Sequence, residues 1–271
     1  MKRIYFLFLI IFALSLTTNI QAQSKSFLAM TEQEKAEYVA VKVDEITDKI
    51  SGKKYPFDAN FQAQVSRSVE AYARRAGNNQ KTGFGQDLNL VMQRGSEYAP
   101  TINGAFDKNG VSRLSGLYIS MIESEFNNSL VSPTGGSGAF ILTAAQARKY
   151  GMTKKDITVL SKSAEVAARL LAENQNYFAE HKMKEFLAIL AWNYTVKKVN
   201  FNINFKFMSD SKNMACPICG LSENPKRFDR QFQTEAFKYI PKFLAAAIVG
   251  ENPADFGLNT KPLSTLGTEN R

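Results

Sequence analysis

Gly116, Ser120, Glu123 and Ser124 stand at positions i, i+4, i+7 and i+8 of a short apolar stretch. Helical spacing gathers them on one side, opposite Leu114, Leu117, Tyr118, Met121 and Ile122. A carboxylate among such small neighbours can face an open cleft and serve there as a general acid or base. Taken alone, a Glu is most simply a solvated surface group. The residues after Glu123 argue for more. Phe126-Asn127-Asn128 breaks the helix, and then comes Ser132-Pro133-Thr134-Gly135-Gly136-Ser137-Gly138. The backbone of so small and turn-forming a loop can approach a ligand closely.

Other chemistry is scarce. The chain of 271 residues holds one His and two Cys. That excludes a zinc enzyme built on several His, and a Ser-His-Asp triad unless His181 is its base. His181 falls between two helical segments and reads as a surface residue. Cys216-Pro217-Ile218-Cys219 lacks the second ligand pair of a zinc site and the strand-to-helix setting of a redox pair. It reads first as a local disulfide or structural thiols, with a metal site and a redox pair as lesser alternatives. No metal and no cofactor is expected.

The charge narrows the partner. Lys and Arg number 34 against 25 Asp and Glu, a formal charge of +9, which suits an anionic partner. Met1-Lys2-Arg3 is followed by an apolar run from Ile4 to Leu16, too short to span a bilayer comfortably and the length of a signal-peptide core. Ile20-Gln21-Ala22 then offers a cleavage point near Ala22, so residues 1–22 are expected to leave. With them go two of the nine positive charges, leaving seven. Export to the periplasm makes nucleic acid an unsuitable target and favours a cell-envelope polymer.

The rest of the chain must position Glu123, and it reads as helices. Thr31 and Glu34 have capping-box spacing, and Val39, Val43, Ile46 and Ile50 form one stripe closed by Ser51-Gly52. Phe61, Val65, Val69 and Tyr72 mark a second helix, and residues 77–85 a loop. Leu88 and Val91 suggest a third, and Tyr98, Ile102 and Phe106 a fourth, closed by Asn109-Gly110. The best strand candidate is Asn200–Met208, where Phe201, Ile203, Phe205 and Phe207 alternate with polar residues.

Several motifs in order resemble the lytic transglycosylases of peptidoglycan, most of all the branch typified by membrane-bound lytic murein transglycosylase D. They are Ile122-Glu123-Ser124-Glu125-Phe126-Asn127, Val131-Ser132-Pro133-Thr134-Gly135, Gly138-Ala139-Phe140 and Ala147-Arg148-Lys149-Tyr150-Gly151. The lead-in from Met92 to Ile102 is similar too. Leu187 to Asn193 resembles the family's Ala-Tyr-Asn-Ala-Gly helix, and Tyr239-Ile240-Pro241 its Tyr-Val-Pro helix. The likeness runs from about residue 60 to about 258. LysM repeats are absent from this sequence.

The resemblance implies an all-α, mainly helical fold of the lysozyme-like superfamily. A helical lead-in over residues 23–105 would pack on a catalytic domain over 106–258, with a tail over 259–271. It implies that Glu123 protonates the oxygen between N-acetylmuramic acid and N-acetylglucosamine. Glu123 would then take the proton of the C6 hydroxyl as a 1,6-anhydro ring closes. One group acting as acid and then base needs a raised pKa. A two-carboxylate glycosidase needs a partner, and Glu125, on a continuing helix, would point about 160° away. Ser124, Ser132, Gly138, Ala139, Phe140, Trp192, Asn193 and Tyr239 are the implied substrate-binding residues. Peptidoglycan glycan strands, and other cell-envelope proteins, are the implied partners.

The chain also departs from the pattern. Ile141 stands where the family has Gln, Tyr194 and Thr195 replace small residues, Trp192 replaces Tyr, and Glu125 stands where Gly is usual. Ile cannot supply the hydrogen bonds of Gln. The alternative reading is therefore a catalytically impaired peptidoglycan-binding or wall-assembly protein of the same fold; a hydrolytic lysozyme-type enzyme is a third.

Overall fold

The computed structural model describes residues 26–133, 135–207, 215–223, 228, 230, 232 and 237–267. The expected leader and its cleavage point at Ala22 lie outside the described residues, as does Thr134. Ten helices make the fold, with isolated bridges at Val131–Ser137 and Ser137–Leu142 the only strand-like pairing among the described residues. The all-α expectation holds.

Helix α1 (Glu32–Ser51) starts at the expected capping box: the Glu34 amide donates to Thr31 Oγ1 over 3.2 Å, and the Thr31 amide to Glu34 Oε2 over 2.6 Å. It stops at Gly52, whose φ of 67° is left-handed. Asp58 caps α2 (Ala59–Ala73) through the Phe61 amide, 2.8 Å away. Asp87 caps α3 (Leu88–Lys108) and also accepts from the Gly77 amide, which ties down the intervening loop.

Two expectations change here. The third and fourth helices are one, because Met92, Gly95 and Ala99 continue the buried stripe between Val91 and Ile102 with small residues. A Cβ on Gly95 would come within 2.8 Å of the Phe126 ring, so the gap in large apolar residues is the seat of Phe126. This helix also crosses residue 105. The strand candidate is helical as far as it is described, with Met208 outside the described residues: α8 runs Val196–Phe207, with the Val199 amide donating to the Thr195 carbonyl over 3.0 Å as its first turn forms. Alternation signals a strand only where another strand can pair with it.

α4 (Arg113–Ser124) lies between α3 and α10 (Phe237–Glu251), while α2 packs along α10 and α6 (Leu160–Tyr177) along α3. α7 (Lys184–Asn193) packs on α6 and runs into α8; α5 (Ala144–Lys149) and α9 (Pro217–Glu223) are short. The hydrophobic core is continuous from Phe27 to Leu263. From the middle of α4 the Tyr118 hydroxyl donates to Glu251 Oε1 over 2.5 Å, and Glu251 in turn accepts from Ser264. His181, expected at the surface, is instead buried against the Phe178 ring.

Candidate active site

α4 is buried nearly all round, which corrects the idea that its small residues face a cleft. Ser115, Gly116 and Ser120 are buried, and a Cβ on Gly116 would meet the Phe106 ring at 2.5 Å. The small residues let α3 and its aromatic ring approach. Ser124 is 2% exposed; its hydroxyl donates to the Ser120 carbonyl at 3.1 Å and the Ala139 carbonyl at 2.7 Å. It therefore joins the helix end to the following loop. Glu123 is the member of the group that stays half-buried.

The helix ends abruptly after Ser124. Glu125 and Phe126 are both left-handed, with φ of 53° and 58°, a conformation that costs a non-glycine residue about 1 kcal/mol or more. Several contacts hold the strain. Arg75 Nη2, from the turn just after α2, is 2.6 Å from Glu125 Oε1, and the amides of Gly85 and Gln86 donate to the same carboxylate at 2.9 and 3.2 Å. Arg94 of α3 donates twice to the Glu125 carbonyl, and Phe126 is fully buried. Glu125 thus has a role the sequence did not suggest. It does not point idly away on a continuing helix; it anchors the end of α4 to the lead-in helices.

The loop beyond is fastened at Asn128, which donates to the Thr158 carbonyl and accepts from the Ala139 amide at 3.2 Å. Gly138 has φ of 78°, and a Cβ there would stand 2.6 Å from the Ile157 carbonyl. Ser132 is half-buried and its amide donates to the Gly136 carbonyl over 2.8 Å. Ala139 and Phe140 are fully buried. Phe140 lies between Phe106 and Trp192, with ring centroids 6.0 and 6.3 Å away, and packs into the core. Ile141, in the family's Gln position, is left-handed at φ 50°, unusual for a β-branched residue.

On the other wall, Trp192 is half-buried and Asn193 exposed at the end of α7. Tyr194 turns inward to pack edge-on against Phe232 at 5.2 Å, so its bulk joins the core. Cys216 and Cys219 are joined by a disulfide with 5.2 Å between Cα atoms.

α10 brings the decisive partner. The Tyr239 hydroxyl donates to Glu123 Oε1 across 2.6 Å, and Lys242, one turn later, donates from Nζ to the Ile122 carbonyl at 3.1 Å. Burial raises the Glu123 pKa above the ordinary carboxylate value; the Tyr239 hydrogen bond and the Lys242 charge oppose it without cancelling it. Burial first, and the Glu123 charge second, push the Tyr239 phenol well up, so it stays a donor. Burial lowers the Lys242 pKa. Lys242 was missed at the sequence level, although a lone Lys between Pro241 and Phe243 in so apolar a helix was a signal. Arg75 and Arg94 left none, being ordinary basic residues of a turn after α2 and of an amphipathic helix.

A single half-buried carboxyl whose pKa is raised, beside a fixed phenol, can donate a proton and later recover one. Glu125, the nearest carboxylate in sequence, is held by Arg75 and two amides and is not free to act as a nucleophile. Residues 100–214 match the family model of the transglycosylase SLT domain. That stretch takes in Glu123, the loop through Phe140, Trp192 and Asn193, but neither α2 nor α10. No curated protein matches the chain.

Proposed function

We propose that the protein is an exported lytic transglycosylase that cleaves the β-1,4 bond between N-acetylmuramic acid and N-acetylglucosamine in peptidoglycan and leaves a 1,6-anhydro end. The observation that carries this reading is the half-buried Glu123 carboxyl, its pKa raised by desolvation, held by Tyr239 within an SLT-type stretch. Protonated Glu123 gives its proton to the glycosidic oxygen as the bond to C1 breaks. The resulting carboxylate takes the proton of the C6 hydroxyl as that oxygen bonds to C1. Tyr239 holds the ionised carboxylate between the two transfers. No water is consumed, and no second carboxylate is needed. The motifs around Glu123 support placing the protein near the branch typified by membrane-bound lytic murein transglycosylase D, and the periplasm is the proposed place of work, given the leader-like first residues.

Digestion of purified sacculi with mass spectrometry of the soluble fragments tests the proposal. Anhydro ends are expected with the natural chain and not with Glu123→Gln. Reducing ends in their place would mean hydrolysis. A second reading, a peptidoglycan binder with impaired turnover, draws on Ile141 in the Gln position. It expects sedimentation with sacculi and no soluble fragments.

A further inference from the structure

A cavity of about 650 Å³ opens between α2, the loop before α3 and α10. It borders the candidate site without containing its carboxylate: Glu125 and Lys242 line it, and Glu123 does not. The wall carries Arg67 from α2, Arg75 from the turn after it, and Lys238 and Lys242 from α10, against the single carboxylate of Glu125. Arg75 is engaged with that carboxylate, and Lys242 with the Ile122 carbonyl. Arg67 and Lys238 are exposed, and neither forms an ion pair among the described residues. Between the cations lie apolar surfaces of Ala71, Pro241 and Phe84, which is 56% exposed, along with the polar side chains of Gln64 and Ser68.

Cations set around small apolar surfaces fit a ligand with carboxylates on a short aliphatic frame; an uncharged sugar would leave Arg67 and Lys238 without partners. α2 and α10 both lie outside the matched residues 100–214, so the cavity is built by parts of the chain beyond that domain. Lys242 links the two places, since it lines the cavity and donates to the residue before Glu123.

We propose that this cavity binds the carboxylate-bearing peptide carried by a peptidoglycan strand, and so sets which sugar lies at Glu123. The proposal rests on the reading of Glu123 as a peptidoglycan-cleaving group. The probe is peptide cut from sacculi by an amidase and dye-labelled at its amino end, followed by fluorescence anisotropy with the full chain. The expected result is saturable binding that weakens as salt rises. Joint Arg67→Ala and Lys238→Ala substitution weakens it about tenfold to a hundredfold, as loss of two charge-assisted contacts implies. Ala71→Trp fills the space while leaving every charge, and also weakens it; a merely basic surface would not respond.

A second arm uses Glu123→Gln protein with intact strands. Strands bearing peptide are expected to bind more tightly than strands stripped of it. Absence of peptide binding, indifference to Ala71→Trp, or equal binding of bare and peptide-bearing strands would overturn the proposal. None of these measurements needs turnover. Peptide binding without anhydro products sinks the enzymatic reading alone, and anhydro products without peptide binding sink the cavity alone.

Discussion

Tyr239 and Glu123 lie 116 positions apart and meet across 2.6 Å, phenol donating to carboxylate. The bond favours the ionised form of Glu123, while burial favours the neutral form and prevails. Tyr239→Phe removes the donor and leaves the ring, so the Glu123 pKa should rise further. A reaction that starts from protonated Glu123 loses rate as pH climbs through that pKa. The alkaline limb of the kcat profile should therefore move to higher pH, while kcat falls by about 10- to 100-fold because the carboxylate is less well held. A fall in kcat with an unmoved limb would separate Tyr239 from the Glu123 proton.

The same burial has a cost for the fold. A carboxyl whose pKa is raised on folding leaves stability intact below its unfolded value, near 4.5, and erodes it as pH rises towards the folded value. Glu123→Gln removes the ionisation and keeps an oxygen to accept from Tyr239. Thermal melting should show the variant matching the natural chain near pH 4 and exceeding it near pH 8, by about 0.5–2 kcal/mol. A variant less stable at pH 8 would contradict the assignment.

Glu125 sets two effects against each other. Glu125→Gly would relieve a left-handed φ of 53°, worth about 1–2 kcal/mol. It would also leave the half-buried Arg75 guanidinium without its carboxylate, and removing one partner of a buried pair costs about 3–5 kcal/mol. The ion pair should win, with a net loss of about 2 kcal/mol in denaturant unfolding. A neutral or stabilised variant would show that the anchor does not carry the end of α4.

Gly138→Ala meets both a left-handed φ of 78° and a carbonyl 2.6 Å from the new methyl. The Ile157 backbone cannot swing away as a side chain tip would. A loss of about 2–4 kcal/mol is expected, together with faster amide exchange around Asn128, whose side chain bonds the next amide. Unchanged unfolding would mean that the loop accommodates a side chain there.

Ile141→Gln tests whether the unusual residue limits turnover. It returns a hydrogen-bonding group to the position that holds one in the family, and a lost site hydrogen bond of this kind costs roughly 10²–10³ in rate. Release of anhydro fragments should rise by at least about tenfold. A variant as slow as the natural chain would place the limit elsewhere, and a natural chain that releases nothing before and after would favour the binding reading.

Much of this was legible locally. Thr31, Asp58 and Gly52 bound their helices through groups one to four residues away, and such signals survive any tertiary arrangement. Glu123, its helix and the glycine-rich loop stood out for the same reason: short spacing and residue type. The stripe of α3 was misread because Gly95 and Ala99 look like a gap until Phe126 is seen to occupy it. The small face of α4 looked open for want of Phe106. In both cases a small residue marks either a cleft or a close neighbour, and only the neighbour decides.

The sequence by itself determined an all-α chain with one candidate carboxyl at a helix end. Only the tertiary structure decided what surrounds that carboxyl. α10 packs on α2 and α4, and so brings Tyr239 to Glu123 and Lys242 to the Ile122 carbonyl; the turn after α2 and helix α3 send Arg75 and Arg94 to Glu125. These contacts join residues 31 to 120 positions apart. Their geometry follows from which helix faces pack together, a property of the whole core that no local spacing records.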